Sequence, residues 1–231
     1  MYFLAVDTTT NSGGVALSRN SEVLGLVMMK TPMKYSDRVI FNIDFLLDQL
    51  GVGINQVDCF VTAHGPGSFT GLRIGLATVK GLAQSLDKPV IGLSTLECLA
   101  YRFRHADSLI SPMIDARRQQ VYTGLYEIRD NQIEPLRTET VGTPSDWLKT
   151  ITGSCTFVGD GAEMYFQIIK AVLPEHQVIR SDNVILTELC ELSYRRFIKG
   201  EILSAGDLKA NYIRPSDAES GSLARISHGV T

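Results

Sequence analysis

The chain has 231 residues, with 22 Lys and Arg against 25 Asp and Glu, which gives a formal charge of −3 at pH 7 with neutral His. Hydrophobic residues make up 44% and charged residues 20%, a composition that excludes disordered, fibrous and disulfide-stapled classes. The charge balance also excludes the basic domain or stripe that an autonomous nucleic-acid binder carries.

The opening Met1-Tyr2-Phe3-Leu4-Ala5-Val6-Asp7 has no basic leader and meets a carboxylate at position 7, so neither a signal peptide nor an anchor is expected there. Periodicity predicts a strand at 2–7, a turn at 8–13, strands at 14–18 and 23–29, and a helix at about 35–50 that Gly51 closes in the left-handed cap position. A strand at 57–63, a helix at 68–86, a strand at 90–92 and a helix opened by Ser94 with Glu97 at its third position follow. The second half predicts strands at 109–115, 119–127 and 132–139, a helix after Pro144, a strand at 156–158, a helix at 162–173, a short strand at 177–180 and a helix at 185–199. Both halves read βββαβαβα. The expected fold is therefore α/β, with two equivalent lobes at 1–106 and 107–214, a cleft between them, and a flexible polar tail at 215–231.

Cys59, Cys98, Cys155 and Cys190 are scattered through apolar segments without a CxxC pair, and no apolar run reaches the roughly 20 residues that span a bilayer. A reduced, cytoplasmic protein without a membrane segment is expected. His64, His105, His176 and His228 stand alone, with neither a metal-ligand pair nor a catalytic Ser/His/Asp order around them.

The glycine-rich stretch from His64 to Gly75 leads from a buried strand into a helix. No Lys follows its last glycine, so it is not a P-loop, and the residues two away from Ser68 are Pro66 and Thr70, so it is not a nucleophile elbow. Ser68 is expected to cap the helix. Gly71, Gly75, Thr78 and Gly81 then recur on one stripe, and glycine inside a helix costs about 1 kcal/mol relative to alanine. Close approach by another helix would compensate; packing inside the same lobe is the plainer alternative.

On the helix before it, Val39, Ile40, Ile43, Leu46, Leu47 and Leu50 form a core stripe, while Phe41 and Phe45 fall on the opposite face beside Lys34, Asp37 and Asp48. Two aromatic residues four apart opposite a complete core stripe point to a second buried surface, a protein–protein interface, with burial under the chain's own segments as the plainer alternative. A nucleotide cleft is the other candidate site. Asp7, Thr8, Thr9 and Asn11 after the first strand could meet a phosphate or its Mg²⁺, and Asp115 and Arg117 occupy the matching turn of the second half. That second turn has no glycine to bring backbone amides to a phosphate.

Taken together, Leu4-Ala5-Val6-Asp7-Thr8-Thr9, the block Gly65-Pro66-Gly67-Ser68-Phe69-Thr70-Gly71-Leu72-Arg73-Ile74-Gly75, Gly92-Leu93-Ser94-Thr95-Leu96, Ile114-Asp115-Ala116-Arg117-Arg118 and Asn211-Tyr212-Ile213-Arg214-Pro215 resemble the bacterial TsaB (YeaZ) family. The resemblance implies an actin-like (ASKHA, RNase H-like) two-lobe fold. It also implies a role in making threonylcarbamoyladenosine beside the anticodon of tRNA, as a non-catalytic scaffold for the catalytic TsaD subunit, working with the TsaE ATPase. The expected partners are a TsaD-like subunit in a heterodimer, a TsaE-like ATPase and a second copy of the chain when alone, with tRNA met only indirectly. No intrinsic cofactor or metal is expected, with ATP or ADP at the level of the complex. In the family the first two long helices of the N-terminal lobe form the partner contact, which assigns Phe41, Phe45, Gly71, Gly75 and Thr78 to it. The helical metal pair of the family's catalytic relative falls here on Tyr35 and Val39. Two other classes remain as alternatives: an actin-like ATPase or phosphotransferase, motivated by Asp7 and Asp115, and a metallopeptidase-like protein.

Overall fold

The computed structural model describes residues 1–10, 12–30 and 38–214, with only the backbone described at Met29 and Lys30. Asn11, the predicted helix start with Lys34, Tyr35 and Asp37, and the tail at 215–231 lie outside the described residues. One sheet contains β1 (Tyr2–Asp7), β2 (Ser12–Arg19), β3 (Glu22–Lys30), β4 (Val57–Gly65) and β5 (Val90–Ser94) in the order β3-β2-β1-β4-β5. The other contains β6 (Leu109–Asp115), β7 (Val121–Arg129), β8 (Gln132–Gly142), β9 (Cys155–Val158) and β10 (Gln177–Ile179) in the order β10-β9-β6-β7-β8. In both, the first three strands form an antiparallel meander, and two parallel strands extend the sheet from the first strand's other edge. Each half therefore builds the same sheet, as the repeated element order predicts.

Among the described residues seven α-helices cover these sheets: α1 (Val39–Leu50), α2 (Phe69–Ser85), α3 (Thr95–Tyr101), α4 (Pro144–Leu148), α5 (Asp160–Met164), α6 (Phe166–Val172) and α7 (Leu186–Ile198). Their starts and stops follow local chemistry. Gly51 ends α1 at φ 63°, where its N–H reaches the Asp48 and Leu47 carbonyls. Ser68 caps α2 by accepting from the Gly71 N–H at 3.3 Å, and Ser94 caps α3 by accepting from the Leu96 and Glu97 N–H groups. The helix predicted at 162–173 is two helices, because Tyr165 leaves helical space at φ −103°, ψ 21° while its side chain packs on the core beneath. Among the described residues no helix is long and apolar enough to cross a membrane.

Three cores hold the layers together. Val39, Ile43, Leu46 and Leu47 of α1 and Leu76, Val79 and Ala83 of α2 pack on one face of the first sheet. Trp147 and Leu148 of α4, Ala162 of α5 and Ile169 of α6 cover the far face of the second sheet. The central core joins both sheets through α3 and α7, with Leu96 and Leu99 beside Leu186 and Leu189. The exchange is reciprocal: α3, which closes the first half, packs on β6 and β7, and α7, from the second half, packs on β1, β2 and β5. After α7 the chain returns to the first sheet, where Leu203 pairs with Val90 and Leu208 is buried in the α1/α2 core. This return carries residues 211–214 to the junction of the two halves.

Candidate functional site

A cleft of about 730 Å³ opens where the strand ends of the two sheets face each other. Its first-half wall includes Thr9, Ser68, Phe69 and Arg73, and its second-half wall includes Asp115, Arg117, Arg118 and Tyr122. Of the residues predicted for a nucleotide cleft, Thr9, Asp115 and Arg117 line it. Asp7 and Thr8 do not line it; both are buried beneath. Asn11 is outside the described residues.

The turn after β1 is closed by its own hydrogen bonds. Asp7 Oδ1 accepts from the Thr9 N–H at 2.9 Å and the Thr9 hydroxyl at 2.7 Å. The Thr8 hydroxyl donates to the Gly71 carbonyl at 2.6 Å, and the Ser68 N–H donates to the Thr9 carbonyl at 2.7 Å. Burial pushes the Asp7 carboxyl up to about 6 against the opposing effect of the Thr9 bonds, and its Oδ2 has no hydrogen-bond partner among the described residues. Asp7 Oδ1 and the Thr8 and Thr9 hydroxyls are thus engaged within the protein itself.

The matching turn after β6 is built differently. Arg117, Arg118 and Gln119 take φ values of 61°, 53° and 58°, three left-handed residues in a row, each costing about 1 kcal/mol for a side chain other than glycine. The surrounding contacts enforce the conformation. The Arg117 N–H donates to Asp115 Oδ1 at 2.8 Å, the Ala116 N–H to the Gln120 carbonyl at 3.0 Å, and the Gln120 N–H to the Arg117 carbonyl at 3.0 Å. Arg214 then clamps the turn from outside, donating to the Ala116 carbonyl at 2.6 Å and to Gln120 Oε1. Its guanidinium lies 5.8 Å from the Tyr122 ring centroid.

The neighbouring residues of the closing segment complete the wall. Tyr212 sits 4.9 Å from Phe69, whose ring Arg73 covers at 4.0 Å. Asn211 takes its place through two bonds, one to each half: its N–H donates to the His64 carbonyl and its side-chain amide to Glu139, both at 2.8 Å. Glu139 also accepts from the Tyr126 hydroxyl at 2.6 Å and from the Ser94 hydroxyl, and burial raises its carboxyl despite these bonds. Sequence reasoning alone does not single out Glu139, Arg214 or Tyr212 as site residues. The signal for Tyr212 and Arg214 is the compact Asn211-Tyr212-Ile213-Arg214 motif after the last helix, whose contacts are too distant in sequence to read, and Glu139 in β8 has no local signal.

The second candidate surface is the outer face of α1 and α2. Phe41 is 66% and Phe45 47% exposed, and Ile40, expected in the core stripe, is 53% exposed beside them. Buried Asn42 stands on the inner face instead. The glycine stripe of α2 requires a larger correction. Gly71 and Gly75 are buried against the chain's own β1 end: a Cβ on Gly71 would collide with the Thr8 carbonyl, and one on Gly75 would lie 2.6 Å from Thr8 Oγ1. Their close approach is therefore to Thr8, inside the protein, and they are not partner-contact residues. Thr78 is half-buried, and of the stripe only Gly81 stands exposed, with no atom within 4 Å of where a Cβ would lie. Among the described residues no group of three or more His, Cys, Asp or Glu side chains could hold a metal ion.

The family model of TsaD, tRNA N6-adenosine threonylcarbamoyltransferase, matches residues 20–194. A Bacillus subtilis (strain 168) protein named tRNA threonylcarbamoyladenosine biosynthesis protein TsaB is 34% identical over 222 residues, which cover 95% of this chain and 96% of that protein. Among solved structures, YeaZ from Pseudomonas aeruginosa aligns with a TM-score of 0.77 at 27% identity, covering 91% of this chain and 99% of that one. An inorganic polyphosphate/ATP-glucomannokinase from Arthrobacter sp. strain KM shares the fold alone, with a TM-score of 0.50 at 10% identity over 86% of this chain and 99% of that one. The two-lobe α/β architecture is thus that of the actin-like ATPase and sugar kinase class.

Proposed function

The chain belongs to the TsaB (YeaZ) family of tRNA threonylcarbamoyladenosine biosynthesis proteins, and from that premise we propose that it is a non-catalytic subunit that holds a TsaD-like catalytic partner through the outer face of α1 and α2. The observation that carries this reading is the exposure of Phe41 and Phe45 on the face opposite the α1 core residues, with Ile40 exposed at the rim of the core stripe. Apolar side chains in that arrangement are more costly in water than against a partner. Gly81 supports it: an exposed mid-helix glycine with open space around it has no use inside the protein, yet lets a second helix approach α2 closely. The same face serves a second copy of the chain when the partner is absent. A TsaE-like ATPase joins at the level of the complex, and any ATP or ADP is bound there.

The non-catalytic assignment is supported by the β1 turn, whose Asp7, Thr8 and Thr9 are engaged with one another and with α2. Reconstitution of tRNA modification from purified components with and without this chain tests the role. Modification that depends on the chain, with no threonylcarbamoyl transfer by the chain alone, is expected; transfer by the chain alone would overturn it.

A further inference from the structure

The cleft has no part in the helix-face contact, yet it gathers cations. Arg73, Arg117, Arg118 and Arg214 line it against two carboxylates, Asp115 and Asp160, so a protein of net charge −3 carries a locally positive recess. Phe69, Tyr122 and Tyr212 line the same walls. Aromatic rings and guanidinium planes are the surfaces on which unstacked bases rest, and the arginine fork matches phosphate oxygens. A volume of about 730 Å³ suits a small-molecule-sized group, not a duplex.

The two walls differ in a way that selects among nucleotide ligands. On the first, the Thr8 and Thr9 hydroxyls already donate to the Gly71 carbonyl and to Asp7, so neither hydroxyl proton is left for the phosphate tail of a free nucleotide. On the second, the left-handed turn leaves Arg117 and Arg118 exposed. Arg117 pairs with Asp115 at 3.2 Å, yet its side chain is 76% exposed and keeps donors open to a ligand. Positive charge thus stands at the mouth, where a strand continuing past the cleft would run. Arg214 fixes the turn that presents it.

We propose that this cleft receives one unstacked nucleotide of single-stranded RNA, its base against the Tyr122 and Tyr212 rings and its flanking phosphates on Arg117 and Arg118. The proposal rests on the chain acting in tRNA modification but not on the helix-face contact. Fluorescence anisotropy of a labelled short single-stranded RNA of mixed sequence, titrated with the isolated full chain at low salt, tests it. The variant Arg117→Asn/Arg118→Asn removes both charges, and asparagine accepts the left-handed backbone. It is expected to bind about tenfold more weakly, with a log–log salt dependence flatter by about 1.4, since each single-strand phosphate contact contributes about 0.7. Tyr212→Ala is expected to weaken binding while leaving the salt dependence unchanged, because stacking releases no counterions. Unchanged affinity in the double asparagine variant would overturn the proposal. So would equal binding of the same sequence as a duplex, or AMP binding as tightly as the strand. Variants on the α1/α2 face leave this readout unchanged, so the two readings fail separately.

Discussion

The Asn211 side chain donates to Glu139 Oε2 at 2.8 Å while the Asn211 N–H donates to the His64 carbonyl at 2.8 Å, so one residue after the last helix ties the end of β4 to β8. Glu139 gathers three donors from three parts of the chain: Ser94 from the first sheet, Tyr126 from the second, and Asn211 from the returning segment. A single carboxylate thus joins the two halves and the segment that closes them. Glu139→Ala leaves those donors unpaired and is expected to cost about 3 kcal/mol, read from the urea midpoint. Glu139→Gln keeps an acceptor oxygen and should cost less than half of that.

A second prediction concerns pH. Burial raises the Asp7 carboxyl from 3.8 to about 6, so the folded state holds its proton more tightly than the unfolded chain does. The corresponding stability is present below pH 3.8 and is lost as pH rises to 6, a difference of about 3 kcal/mol at full effect. Asp7→Asn keeps an oxygen for the Thr9 bonds without the charge. It should therefore be more stable than the parent at pH 8, with the difference shrinking toward pH 4 in denaturant titrations at the two pH values.

Glycines on one helix should behave oppositely. Gly71→Ala drives a Cβ into the Thr8 carbonyl, a backbone atom, and is expected to destabilise by at least about 2 kcal/mol. Gly81→Ala meets nothing within 4 Å and should stabilise the isolated chain by up to about 1 kcal/mol. Thermal midpoints of the two variants, measured side by side, check the contrast.

That contrast also marks what the sequence makes legible. Periods and caps are local: Gly51, Ser68 and Ser94 announce helix ends through their own backbone geometry and hydroxyls, and the structure places each cap there. A glycine stripe announces only that something comes close. Whether Thr8 or another molecule approaches Gly71 is decided by a contact 63 residues away, which no local pattern carries. Ile40 lies at the rim of its helix stripe, where a small rotation of the axis exchanges core for surface, and Asn42 takes the inner side. The cleft's second wall is the least readable. Its left-handed turn uses Arg117, Arg118 and Gln119 in place of glycine, and the force that holds it comes from Arg214, 98 residues beyond Ala116.

The central claim is that the outer face of α1 and α2 is the partner surface. Isothermal titration of a purified TsaD-like subunit with the parent chain and with Phe41→Asp/Gly81→Leu addresses it directly. Both substitutions fall on exposed positions, so the variant should keep its fold by circular dichroism. Loss of an aromatic anchor together with a blocked helix approach is expected to weaken association at least about a hundredfold, about 3 kcal/mol. Undiminished affinity in the folded variant would contradict the account.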